Sequence, residues 1–191
     1  MRRVFCGVAL AGMLLLSSGT ASAVTITFES APAGTFSSYS EAGVTFTPVG
    51  GGVMDAPISP NGTRALLGEA SPRQTLRADI GGGASYVSID LGDYDADADT
   101  LFLNVYNSAN VLIGTAADFI DSSFTGMRTL AVSVPGIDYA IFGATLPALN
   151  GSSVYADNFT FTTAAIPEPA SLLLLGTGLA FAGRRFRGRQ G

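Results

Sequence analysis

The sequence predicts an all-β fold, an antiparallel β-sandwich of jelly-roll character over residues 24–163, flanked by an N-terminal signal helix and a C-terminal transmembrane helix. Three observations lead there. Apolar and polar residues alternate in short runs, and Gly, Pro, Asn and Asp punctuate the gaps between them. Between residues 24 and 163 no ten-residue stretch carries the 3.6-residue apolar period of an amphipathic helix. Long apolar segments stand at the two ends instead, each beside arginines.

The strands follow in order. Val24-Thr25-Ile26-Thr27-Phe28-Glu29 alternates as a half-buried strand does, and Val44-Thr45-Phe46-Thr47 repeats the pattern before Pro48 and three glycines stop it. Val87 to Leu91 alternates again and ends at Gly92. Leu101, Leu103 and Val105 share one face of a strand that runs to Tyr106. Asn107-Ser108-Ala109-Asn110 supplies turn residues and Val111 to Thr115 returns, so the two runs read as a hairpin. Leu130, Val132 and Val134 share a face, Tyr139 to Ala144 reads as fully buried, and Tyr155 to Thr162 closes the domain. Asn61-Gly62-Thr63 and Gly81-Gly82-Gly83 read as turns.

Residues 1–23 have the order of a secretory signal. Arg2 and Arg3 lead, Val4 to Leu16 is apolar, and Ala21-Ser22-Ala23 offers small side chains to a peptidase that cuts after Ala23. Arg2-Arg3 by itself is a poor match to twin-arginine export, so the Sec translocon and signal peptidase are the expected partners. At the other end, residues 164–169 form a linker that closes on Pro167-Glu168-Pro169. Ala170 to Gly183 follows without a charge, and the chain finishes on Arg184, Arg185, Arg187 and Arg189. At 1.5 Å per residue this apolar piece spans about 21 Å, short of a ~30 Å hydrocarbon core, so residues 170–191 read as a marginal membrane helix with an arginine-rich tail. Arginines there hold the C-terminus in the cytoplasm and leave the preceding domain outside.

Pro-Glu-Pro, a Leu-rich short span and a terminal arginine cluster, in that order and paired with an N-terminal signal, resemble the PEP-CTERM protein-sorting signal, also called the ice-binding-protein C-terminal domain. The resemblance covers Ile166 to Arg189. It implies processing by an exosortase-type membrane enzyme in a Gram-negative bacterium that makes exopolysaccharide. The protein is then expected in the inner membrane through its C-terminal helix, and afterwards at the cell surface or in the extracellular matrix.

Composition excludes several chemistries. All acidic residues but Glu168 fall in the middle domain, against Arg64, Arg73, Arg77 and Arg128, and the chain has no lysine. Such a surface repels nucleic-acid phosphates, so no nucleic-acid partner is expected; it suits divalent cations or a neutral or cationic partner. Histidine is absent, which removes the Ser-His and Cys-His catalytic arrangements and the usual zinc sites. Cys6 lies in the signal, so the exported domain has neither disulfide nor thiolate. Tryptophan is absent, which leaves aromatic stacking to Tyr39, Tyr86, Tyr94, Tyr106, Tyr139 or Tyr155.

Leu103 to Gly114 and Tyr155-Ala156-Asp157-Asn158-Phe159 resemble the strand–turn–strand hairpin and the closing strand of carbohydrate-binding-module and galactose-binding-like jelly rolls. In those modules the first and last strands share a structural calcium, and the resemblance carries that role to Glu29 and Asp157. A second candidate is the acidic run from Asp90 to Asp99, in which Asp95, Asp97 and Asp99 have the spacing that opens an EF-hand loop. Thr100 and Tyr106 replace the glycine and the glutamate that loop needs, so at most a looser calcium site or a solvated acidic turn is expected. The function expected from all of this is non-enzymatic: a structural or adhesive surface protein with exopolysaccharide as candidate ligand. The alternative is a secreted glycan hydrolase that uses an Asp/Glu pair.

Overall fold

The computed structural model describes residues 22–69, 75–94, 98–145 and 154–163, which belong to one compact unit, Ala21–Ala164. Residues 1–21 of the signal segment, Ala21 included, the run Asp95 to Asp97, the sorting motif Pro167-Glu168-Pro169, the C-terminal helix and Arg184, Arg185, Arg187 and Arg189 lie outside the described residues. Every regular element within them is a strand: β1 (Ala23–Ile26), β2 (Tyr39–Glu41), β3 (Val44–Pro48), β4 (Met54–Asp55), β5 (Leu67–Gly68), β6 (Leu76–Tyr94), β7 (Asp99–Tyr106), β8 (Leu112–Ile120), β9 (Thr125–Thr145) and β10 (Tyr155–Thr163). No helix among the described residues is long and apolar enough to cross a membrane.

All pairings between these strands are antiparallel, in the order β1-β10-β6-β9-β7-β8, with β3 joining β6 and β2 joining β3; β4 and β5 pair separately. The ladder makes two layers because β6 and β9 each turn a corner. Asp79 pairs with Tyr139 and Ala84 with Ile137, so Ile80 and Gly81-Gly82-Gly83 bulge opposite Asp138 alone. All three glycines have positive φ, as has Gly136 on the facing strand, a backbone region closed to most side chains. Strands that change layer through such bulges are the usual corner of a sandwich. The first half of β6 pairs with β3 and the second half of β9 with β7, whereas the second half of β6 lies between β10 and the first half of β9.

Three sequence expectations change here. Val87–Leu91 is not a strand of its own but the middle of β6, and the runs around Leu130 and Tyr139 are one strand, because glycine corners bend a strand without ending it. The first strand stops at Ile26 rather than Glu29. Phe28 takes a left-handed φ of 60°, which turns the chain while its ring stays fully buried. The expected hairpin forms between Leu101–Tyr106 and a return strand that runs on past Thr115, Leu112–Ile120, closed by Asn107, whose Oδ1 accepts from the amides of Ala109 and Val111.

Between the layers sits one core. Phe46 on β3 and Phe142 on β9 face Phe159 on β10 with ring centroids 5.2 Å and 5.9 Å apart, the first pair edge to face. Ile26, Val87, Ile89, Leu91, Leu101, Leu103 and Val105 complete it, all with no exposed surface. Alternation along each strand puts these residues inside, so the polar partners in the pattern form the two outer faces.

Candidate functional site

Two places carry more chemistry than packing needs. The first is the rim where β10 begins. Residues 58–64 form a tight loop, closed by Ser59 N donating to Thr63 O at 2.7 Å and by a bridge between Ile58 and Arg64. Leu66 and Ala156 exchange both backbone hydrogen bonds, 2.8 Å and 2.9 Å, which pins this loop over the first residues of β10. Asp157 stands beneath it with no exposed surface. Its Oδ2 accepts from Asn61 Nδ2 at 3.1 Å and lies 2.5 Å from the Thr63 hydroxyl, while its Oδ1 accepts from the Asn158 amide at 2.7 Å. Glu29 reaches the same loop from the other side, its Oε1 accepting from Arg64 N at 2.9 Å.

Oxygens crowd this loop. Thr63 Oγ1 is 2.6 Å from Asn61 Oδ1 as well as 2.5 Å from Asp157 Oδ2, yet a hydroxyl has one proton to give. Ser59 donates to that same Asn61 oxygen. Glu29 and Asp157, which the sequence put forward together, therefore do meet one loop, on the adjacent residues Arg64 and Thr63. Asp99 is elsewhere: it opens β7, fully buried and opposite Ile120, while Asp95 and Asp97 lie outside the described residues. Among the described residues no three His, Cys, Asp or Glu side chains come together as metal ligands. Any cation here would take two carboxylates and neutral oxygens, a hard donor set that suits calcium.

The second place is the outer face of the β3–β6–β9–β7–β8 layer. Across one level stand Asp79, Tyr139, Tyr106 and Leu112; across the next Arg77, Ile141, Asn104 and Thr115; then Gly143, Phe102 and Ala117; and last Thr145, Thr100 and Phe119. Tyr106 and Tyr139 stack in parallel with centroids 4.8 Å apart, and the Arg77 guanidinium lies 3.8 Å over the Tyr139 ring. Arg77 also grips Asp79 through Nε and Nη2, which holds the guanidinium pKa above its ordinary value. Tyr139 is thus enclosed, 7% exposed, with its hydroxyl donating to Asn110 Oδ1 at 3.2 Å. Phe102 has Gly143 and Ala117 as cross-strand neighbours, so its half-buried ring is flanked by a single methyl on β8 and, over Gly143 on β9, by the Thr75 side chain. Beside it Thr115 donates to Asn104 Oδ1 at 2.7 Å, and Phe119 is 61% exposed. Among the described residues of this face the only formal charges are Arg77 and Asp79, and they cancel.

Thr163 ends β10, and the chain's last segment begins two residues later. Residues 165–189 match the PEP-CTERM protein-sorting motif. No curated protein matches this chain. Its fold is similar to that of several solved structures. The K2 cleaved adhesin domain of Lys-gingipain is 14% identical with a TM-score of 0.48, over 74% of this chain and 100% of that one. A carbohydrate-binding module of Clostridium stercorarium, solved with cellobiose, is 17% identical with a TM-score of 0.38, over 73% and 93%. The chain spans only 22% of the MgGH51 α-L-arabinofuranosidase and 28% of the Clostridium thermocellum xylanase 10B module pair that it also resembles. An exported surface protein is what a PEP-CTERM motif behind such a sandwich indicates.

Sequence reasoning missed Asn61, Thr63, Phe102 and Phe119. Asn61-Gly62-Thr63 has the composition of any turn, and what distinguishes it is Asp157, 94 residues away from Thr63. Counting tyrosines alone passed over the phenylalanines. Alternation on β7 already placed Phe102 opposite in phase to Leu101 and Leu103, which was the available signal.

Proposed function

We propose that this chain is an exported protein, sorted to the cell surface or matrix by an exosortase-type enzyme, whose sandwich is a non-enzymatic adhesive module for exopolysaccharide. The charge-balanced aromatic face around Phe102 carries this reading. The rest of the domain is strongly acidic, so a face without net charge favours a neutral polyhydroxyl chain over a polycation. Sugar rings stack their C–H faces on Phe102 and Phe119, and the Asn104 amide with Thr115 and Thr100 supplies hydrogen bonds to hydroxyls. The stacked Tyr106–Tyr139–Arg77 column is the rigid border of this strip, and its groups are already engaged with one another.

Calcium belongs to the same proposal as a structural ion at the β10 rim. Glu29 and Asp157 would hold it together with oxygens of Ser59, Asn61 and Thr63, and it would supply the positive charge that a fully buried Asp157 carboxylate favours. The crowding of Thr63 Oγ1 against two acceptors supports this fit.

A glycan array probed with the full chain, with and without calcium, tests the reading. Binding to a neutral polysaccharide that falls about tenfold or more (1.4 kcal/mol per tenfold) in Phe102→Ala, with an unchanged melting temperature, is the expected result. Glycan turnover, or binding untouched by Phe102→Ala and Asn104→Ala, would overturn it.

A further inference from the structure

The two layers end in four strand edges, and three of them are blunted against further pairing. β1 has four residues and β2 has three. The first half of β9 sets Arg128 opposite the buried Leu91, so its charge is turned toward the gap between the layers, and then meets Pro135, which has no amide to give. β8 is different. Its nine residues, Leu112–Ile120, include no proline, lysine or arginine, and among the described residues only β7 pairs with it. Alternate N–H and C=O groups of such a strand point away from its neighbour along about 30 Å. Leu112 and Phe119 on this edge are half or more exposed. The single charge, Asp118, stands opposite the buried Leu101 and therefore faces inward, 3.9 Å from Arg128.

We propose that β8 pairs antiparallel with β8 of a second copy of this chain, about a two-fold axis at Ala116. Full overlap of a nine-residue strand with its own copy has one register, in which Ala116 meets Ala116, Thr115 meets Ala117 and Gly114 meets Asp118. This strand suits that register. An inward carboxylate opposes a partner that brings an acidic or apolar side chain against it, whereas each Asp118 here meets a glycine. The two Asp118 stand about 14 Å apart along the strands, past the ~8 Å over which salt screens charge at physiological ionic strength. Thr115 and Ala117 are exposed, small and uncharged, so the strands approach without a clash. Elsewhere the acidic domain repels its own copies; along this seam the only charge already has Arg128 beside it. Pairing joins the outer faces of two copies into one sheet surface. The two Phe102 positions then lie about 16 Å apart, three strand spacings across and two residues along. The dimer does not depend on the glycan reading, but it gives that reading two platforms for one polysaccharide chain.

Sedimentation equilibrium of the full chain in a density-matched detergent tests the pairing without any glycan. The wild type is expected to dimerise. Thr115→Asp/Ala117→Asp changes two exposed positions and sets four carboxylates across the seam, so it should weaken association about tenfold or more while the β-sheet spectrum stays the same. Directly opposed strand positions fit disulfide geometry. On mild oxidation, Cys6→Ser/Ala116→Cys should therefore join two chains about tenfold or more faster than Cys6→Ser/Ser133→Cys, whose cysteine is exposed on the other layer. A monomeric wild type would leave the β8 edge to a different chain and overturn the proposal. Equal association of the wild type and the aspartate variant, or equal oxidation of the two cysteine variants, would place the contact elsewhere and overturn it too.

Discussion

The Thr63 hydroxyl stands 2.5 Å from Asp157 Oδ2, across 94 residues of sequence, and ties the loop at residues 58–64 to the first turn of the closing strand. Asn61 joins the same buried carboxylate, and Glu29 holds the loop separately by accepting from Arg64 N.

Asp157→Asn removes that carboxylate while keeping its shape. Calcium should raise the melting temperature of the wild type, by the equivalent of about 2.7 kcal/mol at 100 times its Kd, and should leave Asp157→Asn unmoved. Scanning calorimetry in chelator and in millimolar calcium checks this. An equal rise in both proteins would place the ion elsewhere.

Gly92 lies against the neighbouring strand, where a methyl group in place of its hydrogen would fall 1.8 Å from Gly126 O and 2.8 Å from the Gly126 carbonyl carbon. Both obstacles are backbone, so β6 and β9 would have to part. Gly92→Ala should cost about 3 kcal/mol, the upper end of ordinary overpacking, in urea unfolding. Gly81→Ala meets no atom and should lose stability only through its positive φ, by about 1 kcal/mol.

Burial, then the hydrogen bond to Glu41, pushes the Tyr39 phenol above its ordinary value. Its folded form keeps a proton that the unfolded chain releases near pH 10, so the associated stability is present below that pH. As pH rises through the folded pKa it is lost. Urea midpoints should therefore fall more steeply above pH 10 in the wild type than in Tyr39→Phe. Parallel profiles would contradict this assignment.

Glu168→Ala should leave export intact and hold the protein in the inner membrane, because it changes the motif that a sorting enzyme reads without altering the apolar span behind it. Fractionation with mass spectrometry decides the matter. Surface material containing Leu172 to Arg184 would show a permanent anchor instead.

Alternating patterns determined which residues of β1, β3, β7 and β10 face inward, since side chains on a strand alternate whatever the strand pairs with. Asn107 to Asn110 likewise determined the β7–β8 hairpin, because the turn chemistry acts within five residues. The arginine-flanked apolar ends are readable for the same reason: order along the chain is their whole signal. What tertiary structure alone decided are the long-range meetings. Gly81-Gly82-Gly83 looks like any turn until β9 pairs on both sides of it and makes it a corner. Asn61 and Thr63 acquire a role only when Leu66 pairs with Ala156 and brings them over Asp157. Phe102 gains small neighbours only because Gly143 and Ala117 arrive beside it from other strands. Register between distant strands comes from the combined fit of a whole core, and no local run of residues encodes it.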